Sequence, residues 1–162
     1  MPVTLGKHGD YAVRAAIDIA RHWDDEPRKA REIAVSMDIP VAYLKRILAE
    51  LVSQGLLDST AGPTGGYRLT RPPETITLLD IIEPLEHLLV PEQCILRGGP
   101  CDWSAFCPIH DTWCRAQKAF ANTLDAATLD QLARIDHDIE HDLHTPATPT
   151  HTKKTNRRGL RT

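Results

Sequence analysis

The densest chemistry in the chain lies in the run CILRGGPCDWSAFCPIHDTWC, which holds all four of its cysteines. Cys94, Cys101, Cys107 and Cys114 are separated by six, five and six residues, and His110 follows Cys107 by three. Thiolate sulfur and imidazole nitrogen are ligands for soft and borderline metal ions. Structural core cysteines would be scattered along the chain, and disulfides are disfavoured in a cytoplasmic protein of this size. Ligation is the better reading. Structural zinc sites usually draw on tight pairs about two to four residues apart, and no such pair is present. Three thiolates spread over a glycine-containing loop suit the larger inorganic core of an iron–sulfur cluster. A zinc site and a cluster-free thiol switch stay open on spacing alone. Cys107, His110 and Cys114 stand at i, i+3 and i+7, so one helical face can carry all three.

Those donors need elements to hold them. Apolar residues at Ala12, Val13, Ala16, Ile17 and Ala20 form a helical stripe over Tyr11–Arg21. A short second helix runs over Ala30–Met37, and Asp38-Ile39-Pro40 makes a tight corner. A third helix covers Val41–Gln54 with Leu44, Ile47, Leu48 and Leu51 inward, and Gly55 ends it. Leu56–Thr60 and Tyr67–Thr70 read as strands around the glycine-rich turn Ala61–Gly66. Thr77 can cap a fourth helix bearing Leu78, Leu79, Ile82 and Leu85. A loop with Cys94 and Cys101 follows, then a long helix from near Cys107 to Asn122. Ala127-Thr128 opens a last helix with Leu129, Leu132 and Ile135.

The expected fold class is mainly α, with three short helices and a hairpin making a winged helix-turn-helix. The third helix of such a unit can enter a major groove about 12 Å wide. Here its outer face offers Ala42, Tyr43, Lys45 and Arg46, with Glu50 further along. Lys45 and Arg46 can donate to guanine edges or phosphates, and Tyr43 can meet a phosphate or a thymine methyl. The wing adds Gly62, Thr64, Gly65 and Arg68 near the backbone, with Arg71 supplying further charge. The same residues also make an ordinary solvated helix face, and winged helices serve as protein-binding modules too.

A formal net charge of −3 argues against nucleic acid until it is divided. Residues 1–75 carry ten basic and ten acidic residues, and residues 76–145 carry four basic and twelve acidic. Residues 146–162 carry five basic residues and no acidic one, with a single leucine, and so read as a disordered tail. That tail is either a solubilising end or a phosphate contact. No stretch approaches the roughly 20 apolar residues of a bilayer span, and the N-terminus lacks an apolar signal region. No membrane association and a cytoplasmic location are therefore expected. No glycine-rich nucleotide loop or nucleophile–base pair stands outside the cysteine run, so an enzyme is not expected.

Taken together, VTLGKHGDYAVRAAIDIA, IPVAYLKRILAELVSQGLL, GPTGGYRLTRP with ITLLDIIEPLE, and the three-cysteine loop resemble the Rrf-two family of bacterial transcription regulators, of the IscR/NsrR/RirA type. The resemblance covers roughly residues 3–140. It implies a homodimer paired through the long helix, bound to double-stranded operator DNA, with a [4Fe–4S] or [2Fe–2S] cluster held between protomers. Its ligands would be Cys94, Cys101 and Cys107. His110 stands where one subtype places a fourth ligand, and Asp10 stands where another supplies a carboxylate in trans. A carboxylate is a weakly held ligand that an incoming diatomic can displace, which favours Asp10 and a [4Fe–4S] cluster. Asp10 also suits the N-terminal end of a helix dipole. Three departures stand out: the first cysteine gap is six residues where five is common, Cys114 is extra, and Ala61 replaces a DNA-contacting arginine. The implied organisation is a DNA-binding head at 1–75, a cluster loop with dimerisation helices at 76–145, and the tail at 146–162. The expected function is a regulator, a repressor foremost, whose operator affinity follows the cluster's response to nitric oxide, redox or iron–sulfur status. Its rivals are a thiol- or zinc-switched regulator and a cluster-carrying electron-transfer or assembly protein whose winged helix binds protein.

Overall fold

The computed structural model describes residues 5–87 and 107–141. Cys94, Cys101 and the basic tail lie outside the described residues. The elements run α1 (Lys7–Arg21), α2 (Ala30–Ser36), α3 (Val41–Ser53), β1 (Leu57–Thr60), β2 (Gly66–Leu69), a 3₁₀ turn (Pro73–Thr75), α4 (Leu78–Glu86), α5 (His110–Asp125) and α6 (Leu129–Glu140). The mainly helical winged helix-turn-helix is the one expected. Its two strands pair antiparallel, from Leu57 opposite Leu69 to Thr60 opposite Gly66.

Alanine-rich α1 is the central element, because Ala12, Ala15, Ala16 and Ala20 let other helices approach closely. Helices α3, α4 and α6 all pack on it. Leu44, Ile47, Leu48 and Leu51 of α3 join Ile19, Ile33, Leu57, Ile76, Ile81 and Leu129 in one buried cluster. Each fully buried side chain of this size contributes about 1.5–3 kcal/mol relative to exposure. Gly55, at φ 73°, ends α3 in the left-handed region that glycine enters without strain.

Helix α1 begins four residues before its apolar stripe does. Lys7, His8 and Gly9 carry no apolar signal, and Gly6 at the cap position has no side chain to offer. The missing acceptor comes from α4, whose Glu86 Oε1 accepts from the Gly9 N–H at 2.8 Å. A Cβ at Gly9 would stand 2.6 Å from that oxygen, the far end of a flexible side chain that can shift aside. The starts of α4 and α6 are each closed by a capping box, Thr77 with Asp80 and Thr128 with Gln131. Two backbone bonds join these starts, Leu78 N–H to the Ala127 carbonyl and Leu129 N–H to that of Ile76, both 2.8 Å.

The long helix differs from its expected span. It covers His110–Asp125, so Cys107 precedes it. Pro108 explains the shift, since the residue before a proline is pushed out of the helical region. Only His110 and Cys114 therefore share a helical face. No residue of α5 is buried, and its Trp113, Phe120 and Leu124 remain partly exposed.

Candidate functional site

Helices α2 and α3 meet at a corner formed by Asp38, at φ 50°, and the buried Ile39. The Pro40 carbonyl then starts α3 by accepting from the N–H groups of Tyr43 and Leu44, at 3.0 and 2.9 Å. With Leu44, Ile47 and Leu48 turned inward, Ala42, Tyr43, Lys45 and Arg46 are all exposed. Two cations and one phenol thus lie along one free helix face.

The wing is fixed from below by a charge that the sequence conceals. Asp18, within the α1 stripe, is 0% exposed and receives two bonds from Arg28, Nε at 2.9 Å and Nη2 at 3.1 Å. Hydrogen bonding to Asp18 first, and its charge as well, raise the Arg28 pKa against the opposing effect of burial. The Arg28 backbone pairs with Tyr67 of β2 in both directions, at 2.9 and 2.8 Å. Gly66 lies so close that a Cβ there would stand 2.6 Å from the Arg28 carbonyl oxygen. At the tip, Gly62 and Thr64 are exposed and Gly65 is buried. A Cβ on Gly65 would meet the Thr60 carbonyl oxygen at 2.1 Å, so its part is to close the turn. Arg68 is exposed, whereas Arg71 is engaged by Asp80 at 2.7 Å.

At the other candidate centre, Cys107, His110 and Cys114 are all partly exposed near the start of α5. The Cys107 carbonyl accepts from the His110 N–H at 3.3 Å, and Cys114 Sγ lies 3.6 Å from His110 Nε2. The Trp113 indole nitrogen, on the same turn, is buried with no hydrogen-bond partner among the described residues. Asp10 is 42% exposed and grips Arg14 through both oxygens, at 3.1 and 2.7 Å. Among the described residues, no three His, Cys, Asp or Glu side chains are gathered to hold a metal. Asp10 and the α5 donors are therefore not assembled into one set.

Sequence reasoning missed the grip of α1 on the reading unit. His8 Nε2 lies 2.6 Å from Glu50 Oε2 of α3, and Tyr11 meets Tyr43 edge-on at 5.5 Å between centroids. Arg14 Nη1 donates to the Met37 carbonyl at the end of α2, at 3.1 Å. All three contacts come from the two turns that also carry Asp10. Their residue types were visible, but nothing in a linear pattern pairs His8 with Glu50.

Comparison with known proteins covers both centres. The family model Rrf2, described as an iron-dependent transcriptional regulator, matches residues 5–135. Protein rrf2 of Nitratidesulfovibrio vulgaris is 33% identical over 124 residues, spanning 76% of this chain and 83% of that one. The solved IscR of T. potens shares 29% identity at a TM-score of 0.68, over 90% of this chain and 95% of that one. CymR, the global cysteine regulator of B. subtilis, shares 28% identity at a TM-score of 0.69, over 82% and 97%. Among the described residues, no helix is long and apolar enough to cross a membrane.

Proposed function

The chain belongs to the Rrf2 family of DNA-binding transcriptional regulators, and from that premise we propose that it is a homodimeric repressor whose hold on double-stranded operator DNA depends on an iron–sulfur cluster. Its relatives are regulators, and it is not an enzyme. The proposed reading surface is Ala42, Tyr43, Lys45 and Arg46 in the major groove, with Gly62, Thr64 and Arg68 of the wing along the backbone. Gly65 shapes the wing tip from within.

One observation carries the regulatory part: the two turns of α1 that bear Asp10 also hold α3 and the end of α2. Asp10 is tied to Arg14, Arg14 to Met37, Tyr11 to Tyr43 and His8 to Glu50. A change in what Asp10 binds thus reaches the recognition helix through packed side chains and ion pairs, without a loop between them. Half-sites lie about 34–36 Å apart along DNA, so a small shift of two such heads weakens simultaneous docking.

The donors present fit an iron–sulfur group in type. Cys107 offers a partly exposed thiol, the Trp113 N–H, without a partner among the described residues, offers a donor toward sulfur, and Asp10 offers a carboxylate oriented by Arg14. Cys94, Cys101 and Cys107 would hold the group, with the partner protomer's copy of Asp10 completing the set. Asp10 is favoured over His110 because a carboxylate is the more weakly held ligand, one that an incoming diatomic can displace. When bound, the group would supply a centre sensitive to nitric oxide and oxidants, held by those side chains. Arg14 holds the Asp10 carboxylate when it is not a ligand, and a ligating Asp10 would tie one protomer to the other. A coupling of roughly 1–3 kcal/mol changes operator affinity fivefold or more. The bare α5, with Trp113, Phe120 and Leu124 partly exposed, supports pairing through that helix.

The Cys114–His110 contact favours one rival, a thiol switch without a cluster. Anaerobic purification of the protein and of Cys94→Ser, Cys101→Ser and Cys107→Ser separates the two. The proposal expects iron and acid-labile sulfide in the parent and their loss in each variant. It also expects Asp10→Ala to alter the visible spectrum more than His110→Ala does. A colourless parent without iron or sulfide that still binds operator tightly would overturn it.

A further inference from the structure

Tyr43 projects from the proposed reading face, 40% exposed, while one side of its ring is flanked by residues of α1. Its side is met edge-on by Tyr11 at 5.5 Å and by the His8 imidazole at 6.2 Å, and Tyr11 itself lies beneath the Arg14 guanidinium at 5.6 Å. Two turns further along α3 stands Glu50, the only acidic residue of that helix. The Glu50 carboxylate is taken by His8 Nε2 at 2.6 Å, where the His8 side chain is 23% exposed. A single α1 side chain thus touches both the phenol that faces DNA and the one anionic group on the helix that enters it.

Resting on the DNA-binding reading above, we infer that His8 is a positioning residue for operator recognition, acting through Tyr43 and Glu50 of α3. Two physical effects support it. A tyrosine held between neighbours before docking loses little rotamer freedom on binding, whereas a free one loses much of it. A carboxylate held by an imidazole N–H is kept from facing phosphates, whose charge dominates affinity for the duplex. Without the imidazole the Glu50 carboxylate is released and Tyr43 keeps only the Tyr11 contact on its side. The expected loss is roughly three- to tenfold per half-site, hence about ten- to a hundredfold for a dimer on two half-sites. Sequence-independent binding rests on exposed cations such as Lys45, Arg46 and Arg68, and falls only by the Glu50 share, about threefold or less.

The test uses the full chain, a labelled duplex from the region upstream of its own gene, and a scrambled duplex of equal length. His8→Ala is expected to lose about ten- to a hundredfold on the first duplex, little on the second, with unchanged iron content. His8→Gln keeps a donor where Nε2 stood, and is expected to recover most of the loss. His8→Leu, which fills the space without a donor, is expected to behave like the alanine variant and serves where that variant is unstable. In a Tyr43→Ala background the effect of His8→Ala should shrink to the Glu50 share, about threefold or less. A His8→Ala or His8→Leu protein with parental discrimination between the duplexes would overturn the inference. So would an undiminished effect without Tyr43, or an equal loss on the scrambled duplex. If the parent itself fails to distinguish the duplexes, the DNA-binding reading fails along with it.

Discussion

Replacing Arg28 by methionine removes the cation that holds the buried Asp18 while leaving an apolar stem of similar length. Asp18 is 0% exposed and Arg28 is 18% exposed, so water cannot substitute for the missing guanidinium without opening α1. Two hydrogen bonds, at 2.9 and 3.1 Å, disappear together. Truncating one partner of a buried pair leaves an uncompensated charge and costs about 3–5 kcal/mol. Replacing both partners is far milder, so Asp18→Asn combined with Arg28→Met should cost less than about 2 kcal/mol. The Arg28 backbone still bonds Tyr67 in both directions, so the wing loosens only as far as the loop shifts. Urea unfolding of the two proteins and the parent, followed by helix circular dichroism, gives the free energies. Amide exchange at Tyr67 and Arg68 reports the wing. An Arg28→Met protein within about 1 kcal/mol of the parent would refute the reasoning, because Asp18 would then have no need of its cation.

Three further outcomes are expected from the fold and two on DNA. Gly66→Ala places a Cβ 2.6 Å from the Arg28 carbonyl oxygen and 2.7 Å from that of Pro27, both backbone atoms, and should lower stability by roughly 1–3 kcal/mol in thermal melts. Gly9→Ala meets only the flexible Glu86 side chain and should cost less. Glu140 is held below its ordinary 4.5 by hydrogen bonding to and charge from Arg21, so its contribution is present above that pH and fades as pH falls through the lower folded value. Acid titration should therefore weaken only this exposed ion pair at the end of α6, with Arg21→Gln removing that part of the pH dependence. On DNA, truncation after residue 145 separates the two readings of the tail: a phosphate contact predicts a salt dependence flatter by up to about 0.9 in log–log slope for each phosphate neutralised, and a solubilising end predicts no change. Arg46→Ala should weaken preference for the operator by about 1–3 kcal/mol where it meets a base edge.

Periodicity placed α3 well, since Leu44, Ile47, Leu48 and Leu51 are all buried and Gly55 ends the helix as its chemistry requires. Thr77 and Thr128 were equally legible, because a capping box is encoded within four residues. What escaped the sequence was set by distant partners. Helix α1 starts early because Glu86, 77 residues away, supplies its cap. Asp18 is buried because Arg28 folds under the wing, and Arg71 is taken up by Asp80. Cys107 is a different case: Pro108 beside it already barred the helical face expected there. The free surface of α3 could be read from pattern, whereas the grip of His8 and Tyr11 on it could not.

The central claim is that operator affinity follows the iron–sulfur group through Asp10 and α1. Anaerobically purified protein, titrated with nitric oxide while bound to its operator duplex, tests this most directly. Fluorescence anisotropy of the duplex and the visible spectrum are followed in the same cuvette. The account predicts that release of DNA tracks bleaching of the spectrum, and that Asp10→Ala uncouples the two. Operator binding that persists unchanged after complete loss of iron and sulfide would contradict it.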